Sequence, residues 1–309
     1  MVTIADPIER SDAPPARPVQ LKDSKSYRTF TVLNIAFLIG LVFVTLYPFV
    51  NLVAQSFSAE GYIRAGQVNL WPKGFNTTTF TAVMSDPMFW INYKNTVIYT
   101  VVATAIAMVL TTSFAYALSK KHLKGRSFLI GIAVFTMFFN GGLIPNYLLI
   151  NQLGFKNTIW AIVIPNAISV FNLLVMKAFF ENFPTELEEA SQIDGLTTYG
   201  TLFRVVLPLS KAVIATMILF YSVSFWNSWF SAFLYLDEKR LFPVTVYVRN
   251  LIAASSDASS VGAGASDVPQ VNANIKAVAM LLTTLPILAL YPFIQRYFVS
   301  GVMLGSVKQ

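Results

Sequence analysis

Long apolar runs separated by short polar links dominate this chain. A helix needs roughly 20 apolar residues to cross a bilayer. Six runs approach that length, at about 30–50, 96–118, 128 onward, 158–180, 212–236 and 277–298. The third run meets Asn140-Gly141-Gly142 and Pro145, so its regular helix is expected to end there. The alternating pattern of a membrane β-barrel is absent. The pattern predicts an all-α polytopic membrane protein with six transmembrane helices in one domain over 29–300. Polar tails are expected at 1–28 and 301–309, with no convincing internal repeat.

Composition supports this and charge orients it. Of 309 residues, 55% are hydrophobic and only 12% are charged, against about a quarter charged in soluble domains. Lysine and arginine collect on the cytosolic side of membrane proteins. Arg10, Arg17, Lys22, Lys25 and Arg28 precede the first run, and Lys120, Lys121, Lys124 and Arg126 crowd the link between the second and third. Both termini are therefore expected in the cytosol, with outer loops at 51–95 and 237–276 and a cytosolic loop at 181–209. Topology accounts for most of the net charge of +7, so no nucleic-acid partner is inferred. Without cysteine there is neither a disulfide nor a thiolate metal site. Residues 1–28 are polar, carry Pro14, Pro15 and Pro18, and lack the early apolar stretch of a signal peptide. A disordered tail is expected there, and a mobile outer loop at the Ser/Ala/Gly-rich stretch 253–267.

The most informative polar island is Glu189-Ala190-Ser191-Gln192-Ile193-Asp194-Gly195, followed by Val205-Val206-Leu207-Pro208. Thr185-Glu186-Leu187-Glu188 fits a capping box, with Thr185 accepting from the Glu188 N–H and the Glu188 side chain reaching back. Leu187, Ala190, Ser191 and Asp194 recur at helical spacing on one face. Gly195 is suited to a positive φ that ends the helix. A second short helix is expected after Thr197, carrying Tyr199, Leu202 and Phe203, with Pro208 disfavouring helix at Leu207. Small residues at Ala190 and Ser191 would admit a partner, and Glu189 would meet a basic group on it. The local pattern by itself also fits an ordinary amphipathic connector.

The spacing Glu189-Ala190-Ser191, three residues, Gly195, nine residues, Val205, one residue, Leu207-Pro208 resembles the cytosolic loop signature of binding-protein-dependent ABC importer permeases. Ser191 stands where the family has a second alanine, and Val205 where it has isoleucine. Leu46-Tyr47-Pro48-Phe49, Asn140 to Pro145, Asn157-Thr158-Ile159-Trp160, Phe225-Trp226-Asn227-Ser228, Leu241-Phe242-Pro243 and the tail from Tyr297 are similar to the maltose-type carbohydrate branch, above all its members for complex oligosaccharides such as alginate. The resemblance implies the type I ABC importer permease fold. It implies a second, homologous permease, two cytosolic ATPase subunits that hold the ATP and magnesium, an extracytoplasmic solute-binding protein and an oligosaccharide substrate. It also gives the coupling role to Glu189, Ala190, Gly195, Leu207 and Pro208, with Glu188, Ser191 and Asp194 beside them.

Polar side chains within apolar runs are costly and tend to be functional. Asn166, Ser169 and Asn172 recur at three-residue steps, and Tyr221, Trp226 and Asn227 crowd the fifth run. Amides, hydroxyls and aromatic rings suit a sugar, although helix packing and interfacial anchoring use the same residues. Asn140 and Asn146 flank the break in the third run and join the candidate path. The cores of the runs carry no Asp, Glu, Lys or Arg, which weighs against the alternative of an ion-coupled secondary transporter. No P-loop or zinc-protease motif is present, and the single histidine, His122, sits in a basic link. The sequence therefore reads as a transport subunit that binds no cofactor, depends on a separate ATPase and contacts membrane lipid.

Overall fold

The computed structural model describes residues 25–260 and 274–289. Among these the regular structure is entirely helical. Residues 1–24 and 301–309 of the expected tails, 261–267 of the expected mobile loop and 290–298 of the sixth run lie outside the described residues, whereas 25–28, expected in the disordered tail, form the first turn of a helix. The chain divides into two units, Met1–Val50 and Asn51–Gln309. In the first, α1 (Lys25–Ser56) begins at Lys25, and side chains such as Phe37 and Val44 are exposed, as in a helix solvated by lipid.

The second unit is organised on one long helix. After the last turn of α1 come α2 (Glu60–Arg64) and α3 (Thr78–Met84). The long helix α4 (Pro87–Ser119) starts well before the expected residue 96. Asp86 explains the early start: its carboxylate accepts from the Met88 N–H at 2.8 Å, and Pro87 occupies the first turn, where no N–H is needed. Ala103, Ala107 and Ala115 are fully buried along α4, because small side chains let neighbouring helices approach closely.

One of the expected spans is bent and two are broken. Helix α5 (Arg126–Phe138) ends before Asn140 as expected, but the chain then turns 114° into α6 (Leu143–Gln152). Gly142 makes the turn at φ +95°. The run 158–180 is not one helix: α7 (Trp160–Val163) stops before Pro165, and α8 (Val170–Glu181) restarts after it. Proline at 165 lacks the N–H and its ring opposes the carbonyl four residues back. Ser169 caps the restart by accepting from the Asn172 N–H at 3.4 Å. Asn166 therefore lies off the helix, and its three-residue steps to Ser169 and Asn172 do not put the three on one helical face.

The loop expected in the cytosol forms α9 (Thr185–Ile193), α10 (Thr198–Thr201), a π turn over Leu202–Val206 and α11 (Leu207–Leu209). It joins α12 (Lys211–Asn227) through an 86° bend. The fifth run breaks at Ser228 and resumes as α13 (Phe230–Tyr235). Helix α14 (Val244–Ser260) covers the first part of the stretch expected to be mobile, since alanine there favours helix. The last described helix is α15 (Asn274–Ala289). Among the described residues two helices cross a bilayer by length and composition, or up to four spans exist if each bent pair counts as one.

Tyr221 ties the centre together. Its phenol lies 2.6 Å from the Thr111 hydroxyl and accepts from the Ser169 N–H at 3.0 Å, with 2% of the residue exposed. Tyr221→Phe strands that backbone N–H at the break between α7 and α8. The expected cost is about 1–3 kcal/mol, read as a lowered thermal midpoint of the purified assembly; an unchanged midpoint would rule out the tie.

Candidate coupling site

The two short helices after Pro184 and the π turn that follows them form a knuckle, and the inner face of the π turn belongs to the core. Leu202 and Val206 are buried with Leu118, Met176, Phe180 and Met217 from α4, α8 and α12. Helix α9 ends as its sequence requires. Gly195 adopts φ +78°, the Leu196 N–H donates to the Ser191 carbonyl at 3.0 Å, and the Gly195 N–H donates to the Gln192 carbonyl at 3.0 Å. Thr197 starts α10 by accepting from the Gly200 N–H at 3.3 Å.

Three local expectations need correction. The capping box does not form, because the Glu188 carboxylate accepts instead from the Lys120 ammonium. A charged donor makes a stronger hydrogen bond than a backbone amide. Ser191 does not face outward beside Ala190. It is 4% exposed, lies 2.8 Å from the Thr201 hydroxyl and donates to the Glu188 carbonyl at 2.7 Å, locking α9 to α10. Helix does not stop at Leu207, whose φ −62° and ψ −46° are helical. The wide turn has the Leu207 N–H donating to Leu202, and the break falls at Ser210 instead. A π turn shifts the hydrogen-bond register, so Pro208 is accommodated in the first turn of α11.

The outward face carries Glu189, Ala190, Asp194 and Gly195, none of them buried. Around them Ile193 is 87% exposed, Tyr199 74% and Phe203 63%. Large apolar side chains clustered on a polar rim mark a surface that a partner covers.

Behind this face lies an ionic tie. Lys120, just past the end of α4, binds Glu188 and stands 4.1 Å over the Tyr116 ring. Arg126, at the start of α5, binds Glu181 and donates to the Leu118 carbonyl at 2.7 Å. Lys177 reaches the same Glu181 at 2.9 Å. Burial alone would raise the Glu181 pKa, but Lys177 and Arg126 outweigh it and hold the carboxyl below its ordinary value. The stabilisation this gives is complete above the ordinary carboxylate range and is lost as pH falls through the depressed value. The ends of α4, α8 and α9 and the start of α5 are thus joined by charge.

The candidate path residues are not gathered at one place. Asn140 and Asn146 are exposed and bonded to each other at 3.3 Å, at the α5–α6 turn. Asn166 is exposed and donates to the Ile162 carbonyl at 3.3 Å, while Asn172 is buried. Asn227 is spent on its own helix, donating to the Val223 carbonyl at 2.9 Å. Trp226 lines a cavity of about 560 Å³ between α4, α12 and α15, together with Tyr93, Thr100, Thr104 and Ser222. Its indole N–H donates to the Thr283 carbonyl at 3.1 Å.

The family described as binding-protein-dependent transport system inner membrane component matches residues 63–304. The chain belongs to this family. Protein LplC of Bacillus subtilis (strain 168) is 39% identical over 288 residues, which are 93% of this chain and 98% of that relative. The polygalacturonan/rhamnogalacturonan transport system permease protein YtcP of the same organism is 38% identical, over 91% of this chain and 99% of its own. A chain from the crystal structure of a bacterial ABC transporter involved in the import of the acidic polysaccharide alginate superposes with TM-score 0.80 at 29% identity. That match covers 90% of this chain and 99% of the other. This chain is therefore a permease, an inner-membrane transport subunit and not an enzyme. Lys120, Arg126, Lys177 and Thr201 belong to the site as well, and no motif in the sequence singles them out. The basic link 120–126 signals topology in the sequence; in the fold it is also the complement of the acidic loop.

Proposed function

We propose that this permease forms half of the translocation path of an oligosaccharide importer and that its cargo is an acidic glycan. Six helices cross the membrane over 29–300, with both termini in the cytosol. A second, homologous permease supplies the other half, and an extracytoplasmic solute-binding protein delivers the cargo. Two ATPase subunits hold the ATP and magnesium. Glu189, Ala190, Asp194, Gly195, Leu207 and Pro208 couple them to the spans, with Glu188 and Ser191 fastening the knuckle from behind. Asn140, Asn146 and Asn166, which are exposed, and Trp226, which lines the cavity, are the candidates for the path, while Asn172, Tyr221 and Asn227 serve the packing of the helices.

Similarity along nearly the whole length to YtcP and to the alginate transporter chain carries this reading. Polygalacturonan and alginate are both built of uronic acids. The test is uptake of radiolabelled oligogalacturonate and oligoalginate by vesicles holding the complete importer. Import of at least one, dependent on ATP and on the binding protein, is expected. Import driven by an ion gradient without ATP would refute the class, and import of neutral sugars alone would refute the cargo.

A further inference from the structure

We propose that Arg249, held on the rings of Trp229 and Phe233, is a binding site for the carboxylate of a uronic-acid unit. The inference rests on the acidic-glycan reading above and names the group that recognises the acid. The Arg249 guanidinium carbon lies 4.7 Å from the centroid of the Trp229 ring and 4.3 Å from that of Phe233. The rings themselves are 6.1 Å apart, with Trp229 38% and Phe233 45% exposed. No carboxylate reaches Arg249 among the described residues. Guanidinium has five N–H donors and no acceptor. Ring faces satisfy part of its charge but none of its preference for a carboxylate, which it binds with two parallel hydrogen bonds.

The mount is rigid. Helix α14, which carries Arg249, is fixed by three bonds to other elements. The Val244 N–H donates to the Thr96 hydroxyl at 2.7 Å, Thr245 donates to the Ser228 carbonyl at 3.2 Å, and Tyr247 donates to Asp86 at 2.7 Å. Asp86 caps the far end of α4, whose 33 residues place it about 50 Å from the Lys120 end. The cluster thus sits at the opposite end of the permease from the knuckle, where cargo arrives. An exposed indole offers a flat apolar face to the C–H side of a sugar, and the adjacent guanidinium takes the carboxylate. A neutral sugar would use only the first contact.

The test uses the complete importer in vesicles, with oligogalacturonate and oligoalginate as acidic probes, a neutral galactose oligomer of equal length as the neutral one, and co-purification of all subunits as the check on assembly. R249Q is expected to lower the ratio of acidic to neutral uptake about tenfold, the scale of one charged hydrogen-bond pair. R249K, which keeps the charge but not the paired donors, is expected to recover only part of it. The same change is expected in phosphatidylcholine vesicles with and without phosphatidylglycerol. An unchanged ratio, or equal failure of R249K and R249Q, would overturn the site. An effect confined to phosphatidylglycerol vesicles would assign Arg249 to a lipid phosphate and overturn it too. A wild-type importer that takes up neither acidic probe refutes the acidic-glycan reading itself, whereas import that ignores R249Q refutes only this site.

Discussion

Replacing Glu188 with lysine is expected to separate ATP hydrolysis from uptake, and adding Lys120→Glu in the same chain is expected to reconnect them. The Lys120 and Glu188 side chains are 18% and 15% exposed, so the pair is neither surface nor core. Exposed pairs contribute about 0–1 kcal/mol, and breaking a buried pair costs about 3–5 kcal/mol. A loss of about 2 kcal/mol, between these limits, is expected for E188K alone, with two ammonium groups then facing each other. The knuckle would still present Glu189 and Gly195 to a motor, but it would be loosened from the end of α4. Substrate-stimulated ATPase is expected to fall about tenfold toward the unstimulated rate. The double exchange restores opposite charges but loses the ammonium over the Tyr116 ring, an interaction of about 0.5–1 kcal/mol. Recovery should therefore be large but incomplete. If the double variant is no better than E188K, the pair is not the mechanical connection.

The knuckle is legible in the sequence because its signals are local. Gly195 requires only its own φ, and Thr197 only the amide three residues on. The long spacing to Leu207-Pro208 is a chain property and needs no fold. The features that stay hidden depend on partners far along the chain. Glu188 matches a capping box in sequence, and nothing local says that Lys120 will outbid the backbone for it. Ser191 occupies an apparent alanine position, and its buried bond to Thr201 exists only once α10 folds back.

The spans are legible as apolar runs, but their breaks are not. Hydropathy ignores Pro165, so two helices and the turn between them read as one span. The same blindness affects the polar residues inside the runs. Tyr221 and Asn227 look alike in composition as sugar contacts. One is sealed between Thr111 and Ser169, and the other returns its amide to its own helix. A hydroxyl or amide in an apolar run shows that a partner exists, without saying whether it is backbone or cargo. Arg249 is hidden for the converse reason: in the sequence it lies in an outer loop, and only the fold brings it onto two rings.

Gly195→Ala and Gly195→Leu are expected to destabilise the permease equally but to differ sharply in holding the ATPase. Any residue with a Cβ is strained at φ +78°, by about 1–2 kcal/mol. No heavy atom lies within 4 Å of the position that Cβ would take, so added bulk meets nothing within the chain. Both variants should therefore show the same lowering of the thermal midpoint in the isolated permease pair. A leucine side chain projects from the outward face beside Glu189 and Ala190, into space that a close-fitting partner needs. Co-purification of the ATPase subunits should survive in the alanine variant and drop about tenfold or more in the leucine variant, since overpacking a fitted contact costs about 1–3 kcal/mol. Equal retention of the ATPase by both would show that the motor grips elsewhere. Equal loss would show that Gly195 acts through the backbone alone, by setting the angle between α9 and α10 rather than by admitting a partner.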